Sequence, residues 1–155
     1  MGRDGPAWIF MTLGVTLLCA ALVAPAGAGG ADREDDWEQK PYFQIDGKID
    51  FGTYNGFRRY HSACHVCHGP DALGSSYAPG LVETMKTLPY ADFVMIIAMG
   101  RTTDRSGTKF VMPAFGNNPN VIDNMDDIYS YLKARADGVL GRGRPKRLPK
   151  GTQRP

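Results

Sequence analysis

Cys64-His65-Val66-Cys67-His68 joins two thiols, two residues apart, to a histidine directly after the second. This C-x-x-C-H pattern is the signature of c-type haem attachment. Two cysteines three apart, in a turn opening from a helix, reach the two vinyl groups on one porphyrin edge. His68 then lies under the ring, where an imidazole nitrogen can take the iron. Two other readings of the segment are weaker. A Cys64–Cys67 disulfide would need no His68. Zinc sites normally set two ligand pairs on either side of a loop of about a dozen residues or more. Here all three histidines (His61, His65 and His68) fall within eight residues, and there is no second cysteine pair.

Covalent haem attachment in bacteria takes place outside the cytoplasm, and the N-terminus agrees. Met1-Gly2-Arg3 precedes an apolar run over 7–24, followed by Ala24-Pro25-Ala26 and Ala26-Gly27-Ala28, which fit the A-x-A cleavage pattern. Residues 1–28 read as a signal peptide. The alternative is an uncleaved anchor, since the run is about the shortest that spans a bilayer. Cys19 lies inside it as an apolar filler, so the exported chain keeps only the motif's two cysteines and has no disulfide framework.

About 125 residues then remain, enough for one domain. Charge is uneven along them. Residues 31–140 carry a net −4, whereas 141–155 hold six cations (Arg142, Arg144, Lys146, Arg147, Lys150 and Arg154) and no acid. The expected organisation is a lead-in and hairpin over 29–50, a haem domain over 51–137, and a basic, disordered tail over 138–155. The tail reads either as a solvated end or as an electrostatic contact for an acidic partner or anionic lipid, so membrane contact is at most peripheral. Nothing in the chain points to nucleic acid.

The acidic stretch 31–40 reads as a loosely held lead-in. Asp46-Gly47 between short apolar-containing runs predicts a hairpin. Residues 53–63 predict a helix capped by Thr53, with Phe57 and Tyr60 on one face, ended by Gly69-Pro70. Gly, Ser and Pro dominate the loop 71–81. A second helix starts at 87–92, with Asp92 favourable near its positive end, and runs to Gly100. Residues 101–120 predict a loop. A last helix, capped by Asp123 or Asn124, buries Ile128, Tyr131 and Leu132 and stops at Gly138. The fold class is therefore all-α: three main helices around one covalent haem, with a short N-terminal β-hairpin. Loops this long ordinarily argue against a compact domain, but a haem gives them a surface to pack on.

Helix, C-x-x-C-H, a proline-bearing loop, a middle helix, a Met-Pro loop and a final helix is the order of the class I cytochromes c, which the chain resembles. Met112-Pro113-Ala114-Phe115 is similar to that family's distal-methionine motif. The resemblance implies Met112 as the second axial ligand, a soft thioether that favours ferrous iron. Met95 and Met99, at helical spacing, read as core filler. Met85 and Met125 flank helices, and no proline follows them. Pro79 resembles the proline whose carbonyl accepts the proton of the proximal histidine's outer nitrogen. Arg101 reads either as a haem-propionate partner or as a solvated surface residue. Gly56 and Tyr60 resemble the small and aromatic pair of the first helix, and Ile128 and Tyr131 their partners on the last.

A narrower likeness, over residues 46–145, rests on the run 54–61 leading into 64–71, on 76–79, 112–116, 127–132 and 135–138. It resembles the methanol-metabolism-related subgroup, whose members accept electrons from pyrroloquinoline-quinone (PQQ) dependent alcohol and methanol dehydrogenases. The implied function is a periplasmic monohaem electron carrier with one covalent haem c and no catalytic residues. A PQQ-dependent dehydrogenase would donate, and a downstream cytochrome or terminal oxidase would accept. The alternatives are a haem c subunit held within a larger dehydrogenase or oxidase complex, and a haem peroxidase or gas sensor.

Overall fold

The computed structural model of the chain describes residues 36–155. The expected signal peptide (1–28) and the start of the lead-in lie outside them. Along the described chain run β1 (Gln44–Ile45), β2 (Lys48–Ile49), α1 (Phe51–Ala63), α2 (His65–His68), a 3₁₀ turn (Thr84–Lys86), α3 (Tyr90–Met99), β3 (Arg101–Arg105), β4 (Thr108–Met112), α4 (Pro119–Ile122) and α5 (Met125–Ala136).

Asp46 and Gly47, both at positive φ, turn β1 back on β2. Two consecutive left-handed residues are what a two-residue hairpin loop of matching twist requires. Asp50, not Thr53, then caps α1. Its Oδ1 accepts from the Thr53 N–H at 2.9 Å and its Oδ2 from the Thr53 hydroxyl at 2.7 Å. A carboxylate one turn earlier satisfies the orphan amides better than a hydroxyl inside the helix.

The core lies where α1 crosses α5. Gly56 permits the approach: a Cβ there would stand 1.7 Å from the Asp127 carbonyl oxygen and 3.0 Å from the Ile128 nitrogen. Beside this point Tyr60 and Tyr131 meet at 5.3 Å between ring centroids, and Tyr60, Ile128, Tyr131 and Leu132 are essentially inaccessible. Phe93 and Ile97, one turn apart on α3, close the same cluster with Met85, Val121 and Met125. Asn124 does stand at the N-cap of α5, but its side chain makes no capping bond; Asp126 and Asp127 supply negative charge in the first turn.

Four expectations are corrected. The stretch 101–120 is not all loop. Ser106-Gly107, both at positive φ, turns a second hairpin in which Arg101 pairs with Met112. Met95 and Met99 are not core filler. They lie 54% and 76% exposed, because α3 buries the stripe that carries Phe93 and Ile97. The described end of the lead-in is held: Trp37 stacks on Tyr129 at 5.8 Å, and the Tyr129 hydroxyl donates to the Glu38 carbonyl.

The basic tail is ordered. Leu148 is buried, its N–H donates to the Ile49 carbonyl at 2.8 Å, and the Ile49 N–H donates to the Lys146 carbonyl at 2.9 Å. Arg147 and Lys150 lie over the Phe51 ring, Arg144 over Tyr54, and Arg154 over Phe43. Composition alone predicts disorder here. Aromatic faces that attract cations, plus one apolar anchor, outweigh it.

Candidate haem site

The motif begins where α1 ends. The Cys64 N–H donates to the Tyr60 carbonyl, and α2 is the single turn that carries His65 to His68. Gly69 (φ +78°) redirects the chain, and a Cβ there would meet the Gly74 oxygen at 2.7 Å. The Tyr60 hydroxyl donates to the Gly69 carbonyl at 2.6 Å and so ties the loop to α1.

The loop from Gly69 to Leu81 folds on itself. The Gly74 N–H donates to the His68 carbonyl (2.8 Å), the Ser75 hydroxyl to the Cys67 carbonyl, the Ser75 N–H to the Ala78 carbonyl (2.9 Å), and the Leu81 N–H to the Ala72 carbonyl (2.8 Å). This brings the Pro79 carbonyl oxygen 2.8 Å from Nδ1 of His68, which is nine-tenths buried. A carbonyl only accepts, so Nδ1 carries the proton and Nε2 keeps a lone pair for a metal.

Cys64 and Cys67 are not joined in a disulfide. Burial, and then the neighbouring Cys67, push the Cys64 thiol up to about 11, so its sulfur is uncharged at neutral pH. Among the described residues no group of three or more His, Cys, Asp and Glu side chains is arranged to hold a metal ion, which goes against the zinc reading.

Met112 ends β4, half-buried against the cluster that also receives Cys64. Its loop is clamped to α3. The Phe115 N–H donates to the Ile97 carbonyl (2.9 Å) and the Gly116 N–H to the Ala98 carbonyl (3.0 Å). Gly100 (φ +73°) faces the loop so closely that a Cβ would lie 2.6 Å from the Met112 oxygen. Arg101 is exposed and stands opposite Met112 in the β3–β4 register.

The exposed large apolar side chains cluster around this ligand set by position in the chain. Val66 lies inside the motif, Leu73 and Tyr77 on the loop to Pro79, Met95 and Met99 on α3, and Val111 beside Met112. A seventh, Ile122 on α4, lies elsewhere at 36%. Single exposed apolar residues need no account, but six on the segments around one site mark a surface that something apolar covers. Two thiols, an imidazole with its outer nitrogen held, a thioether and an apolar rim fit a porphyrin.

Sequence reasoning missed the residues that hold the proximal loop in place. Asp71 is 8% exposed. Its carboxylate accepts from Arg142 Nε (2.8 Å) and the Gly143 N–H (2.9 Å), and its carbonyl from Arg135 Nε and Nη2 (3.2 and 2.9 Å). The Gly143 amide first, and then the Arg142 guanidinium, hold the Asp71 carboxyl below the usual carboxylate range.

No protein-family model matches the chain. Curated proteins do. Cytochrome c-553I of Paracoccus denitrificans is 49% identical over 110 residues, covering 70% of this chain and 49% of that protein. Cytochrome c-555 of Methylococcus capsulatus is 35% identical over 96 residues, covering 61% of this chain and 72% of that protein. The chain belongs to the class I c-type cytochromes. The structure of the c-type cytochrome XoxG from Methylobacterium extorquens AM1 matches with a TM-score of 0.61 at 48% identity, over 69% of this chain and 65% of that one. These likenesses are to c-type cytochromes, electron carriers with covalently bound haem c. The chain spans about half the length of the Paracoccus relative.

Proposed function

We propose that the cytochrome is a periplasmic carrier of single electrons, taking them from a PQQ-dependent alcohol dehydrogenase, methanol dehydrogenase foremost. It passes them to a second cytochrome or a terminal oxidase. In this reading Cys64 and Cys67 form the thioether bonds and His68 and Met112 are the axial ligands. Pro79 orients His68, and Arg101 reaches toward a haem propionate. Residues 1–28 are the export signal, removed from the mature chain. Among the described residues no helix is long and apolar enough to cross a membrane.

Haem c, when bound, supplies an iron centre that cycles between ferrous and ferric. The chain's own part is to hold two ligands still. The Pro79 carbonyl keeps the Nδ1 proton on His68, so Nε2 stays unprotonated toward the metal. The bonds from Phe115 and Gly116 to α3 keep the Met112 loop from swinging away. A neutral thioether favours the ferrous form. Held by both His68 and Met112, the iron would have no position open to substrate, and the chemistry it would supply is electron transfer in brief, charge-steered encounters.

The observation that carries this reading is the 2.8 Å bond from His68 Nδ1 to the Pro79 carbonyl, which readies one imidazole nitrogen for a metal. Support for the donor comes from the subgroup resemblance over 46–145 and the 48% identity to XoxG. Stopped-flow mixing of the oxidised holoprotein with a PQQ-dependent methanol dehydrogenase and methanol tests it. Reduction at or above the dehydrogenase's turnover rate is expected. Reduction far slower than turnover removes this donor.

A further inference from the structure

The ordered tail forms a strap whose cations the haem site does not use. Arg144, Lys146, Arg147, Lys150 and Arg154 are all exposed. Among the described residues none of the five meets a carboxylate; the strap's one ion pair, Arg142 with Asp71, lies upstream of them. Aromatic rings hold them instead. Arg144 and Arg147 lie over Tyr54, Arg147 and Lys150 over Phe51, and Arg154 over Phe43, at 5.5–5.7 Å from the ring centroids. A ring positions a cation but cancels none of its charge. The bonds that join Ile49 to Lys146 and Leu148 set Lys48 near this row, and Arg154 donates to the Lys40 and Tyr42 carbonyls, which brings Lys40 alongside. Seven cations therefore share the end of the molecule where α1 begins. Asp46 on the hairpin turn is exposed beside them. Asp50 is spent capping α1, and Asp137 accepts from the Tyr42 hydroxyl.

We propose that this face docks the protein on an anionic phospholipid surface. Clusters of about four to eight Lys and Arg are what anionic headgroups recruit. Two observations favour lipid over an acidic protein. Protein interfaces anchor on aromatic and apolar side chains set in pockets, yet among the described residues none of the exposed large apolar side chains lies on the strap or on the first hairpin. The rings present there are already covered by the strap's own cations. Position is the second. The face sits at the start of α1 and the C-x-x-C-H motif follows its end, roughly 18 Å away along the axis at about 1.5 Å per residue. A redox partner has to approach the haem, whereas a bilayer has only to hold the molecule. Residues 31–140 carry a net −4, so the surface that attracts the strap repels the rest. The molecule then lies strap down, with the haem motif turned away from the lipid.

Co-sedimentation of the holoprotein with lipid vesicles tests this. Vesicles of equal parts phosphatidylglycerol and phosphatidylcholine should carry the protein down at low salt, and phosphatidylcholine alone should not. Salt well above about 0.15 M, where the Debye length falls below roughly 8 Å, should release it. Lys146→Gln combined with Lys150→Gln should lower the partition coefficient roughly thirtyfold, about fivefold per cation removed. Arginine at both positions should leave it unchanged. The visible spectrum and the denaturant midpoint verify that haem and fold are intact. Should the loss of Lys150 from the Phe51 ring loosen the strap, Lys48→Gln, which lies outside the strap, decides alone with a loss of roughly fivefold. Wild type that ignores the anionic vesicles at low salt overturns the proposal, and so does binding that the glutamine variants leave intact. Holoprotein that ignores the vesicles, while the double glutamine variant slows its reaction with an acidic redox protein, assigns the face to a protein instead and overturns the proposal as well.

Discussion

The Cα of Gly56 and the carbonyl of Asp127 are so close that a single methyl group cannot stand between them: a Cβ on Gly56 would lie 1.7 Å from that oxygen. The clash is with backbone on a buried helix, so rotating a side chain does not relieve it. Gly56→Ala should therefore destabilise the fold by about 1–3 kcal/mol, although alanine in a helix interior is ordinarily favoured by about 1 kcal/mol. Denaturant titration of the holoprotein checks this. A neutral or stabilising outcome would mean that α1 and α5 do not cross here.

Asp71 and the basic strap give a pH prediction. The Asp71 carboxyl is depressed by the Gly143 amide and Arg142. A group whose folded pKa lies below its unfolded value stabilises above the unfolded pKa, about 3.9 for aspartate, and that stability is lost as pH falls through the folded value. The strap should thus stay latched at neutral pH and loosen only in acid. Asp71→Asn removes the charge and should raise the exchange rate of the Gly143 amide, and trypsin cleavage after Arg142, at pH 7. Unchanged exchange and cleavage would show that the latch does not hold the strap.

Gly100 makes the corresponding prediction on the distal side. At φ +73°, with an added Cβ standing 2.6 Å from the Met112 carbonyl oxygen, it leaves no room for a side chain. Gly100→Val should push the 112–114 segment away from α3 and weaken the Met112–iron bond. The holoprotein would then lose the near-red absorption of a ferric thioether–haem complex while keeping its covalent haem. Retention of that band in the variant would contradict the role given to the loop.

Cys64 and Cys67 predict how the cofactor is held. The wild-type pigment should stay with the polypeptide in acidified organic solvent. The double substitution to alanine should release haem into the organic phase or bind none. Extraction from wild type would rule out the thioether links.

Much of this was legible in the chain because local chemistry wrote it there. C-x-x-C-H fixes its own geometry, Asp-Gly forces a hairpin turn, and the resemblance to the class I cytochromes c pairs Gly56 and Tyr60 with Ile128 and Tyr131 across two helices. What failed depends on contacts between distant residues. Composition makes 138–155 look disordered, and only the meeting of Leu148 with Ile49 and of Arg142 with Asp71 orders it. Met95 and Met99 have helical spacing, but periodicity does not say which stripe of α3 meets the core. The second hairpin did leave a signal. Ser106-Gly107 lies between Thr102-Thr103 and Phe110-Val111, a glycine turn among β-branched and aromatic residues.

Carbon monoxide titration of the ferrous holoprotein addresses the paired ligands most directly, because the gas binds only where an axial position is free. Wild type should hold His68 and Met112 and bind essentially none at neutral pH, while Met112→Ala should bind it readily at one per haem. Wild type that takes up carbon monoxide as readily as Met112→Ala would contradict the account.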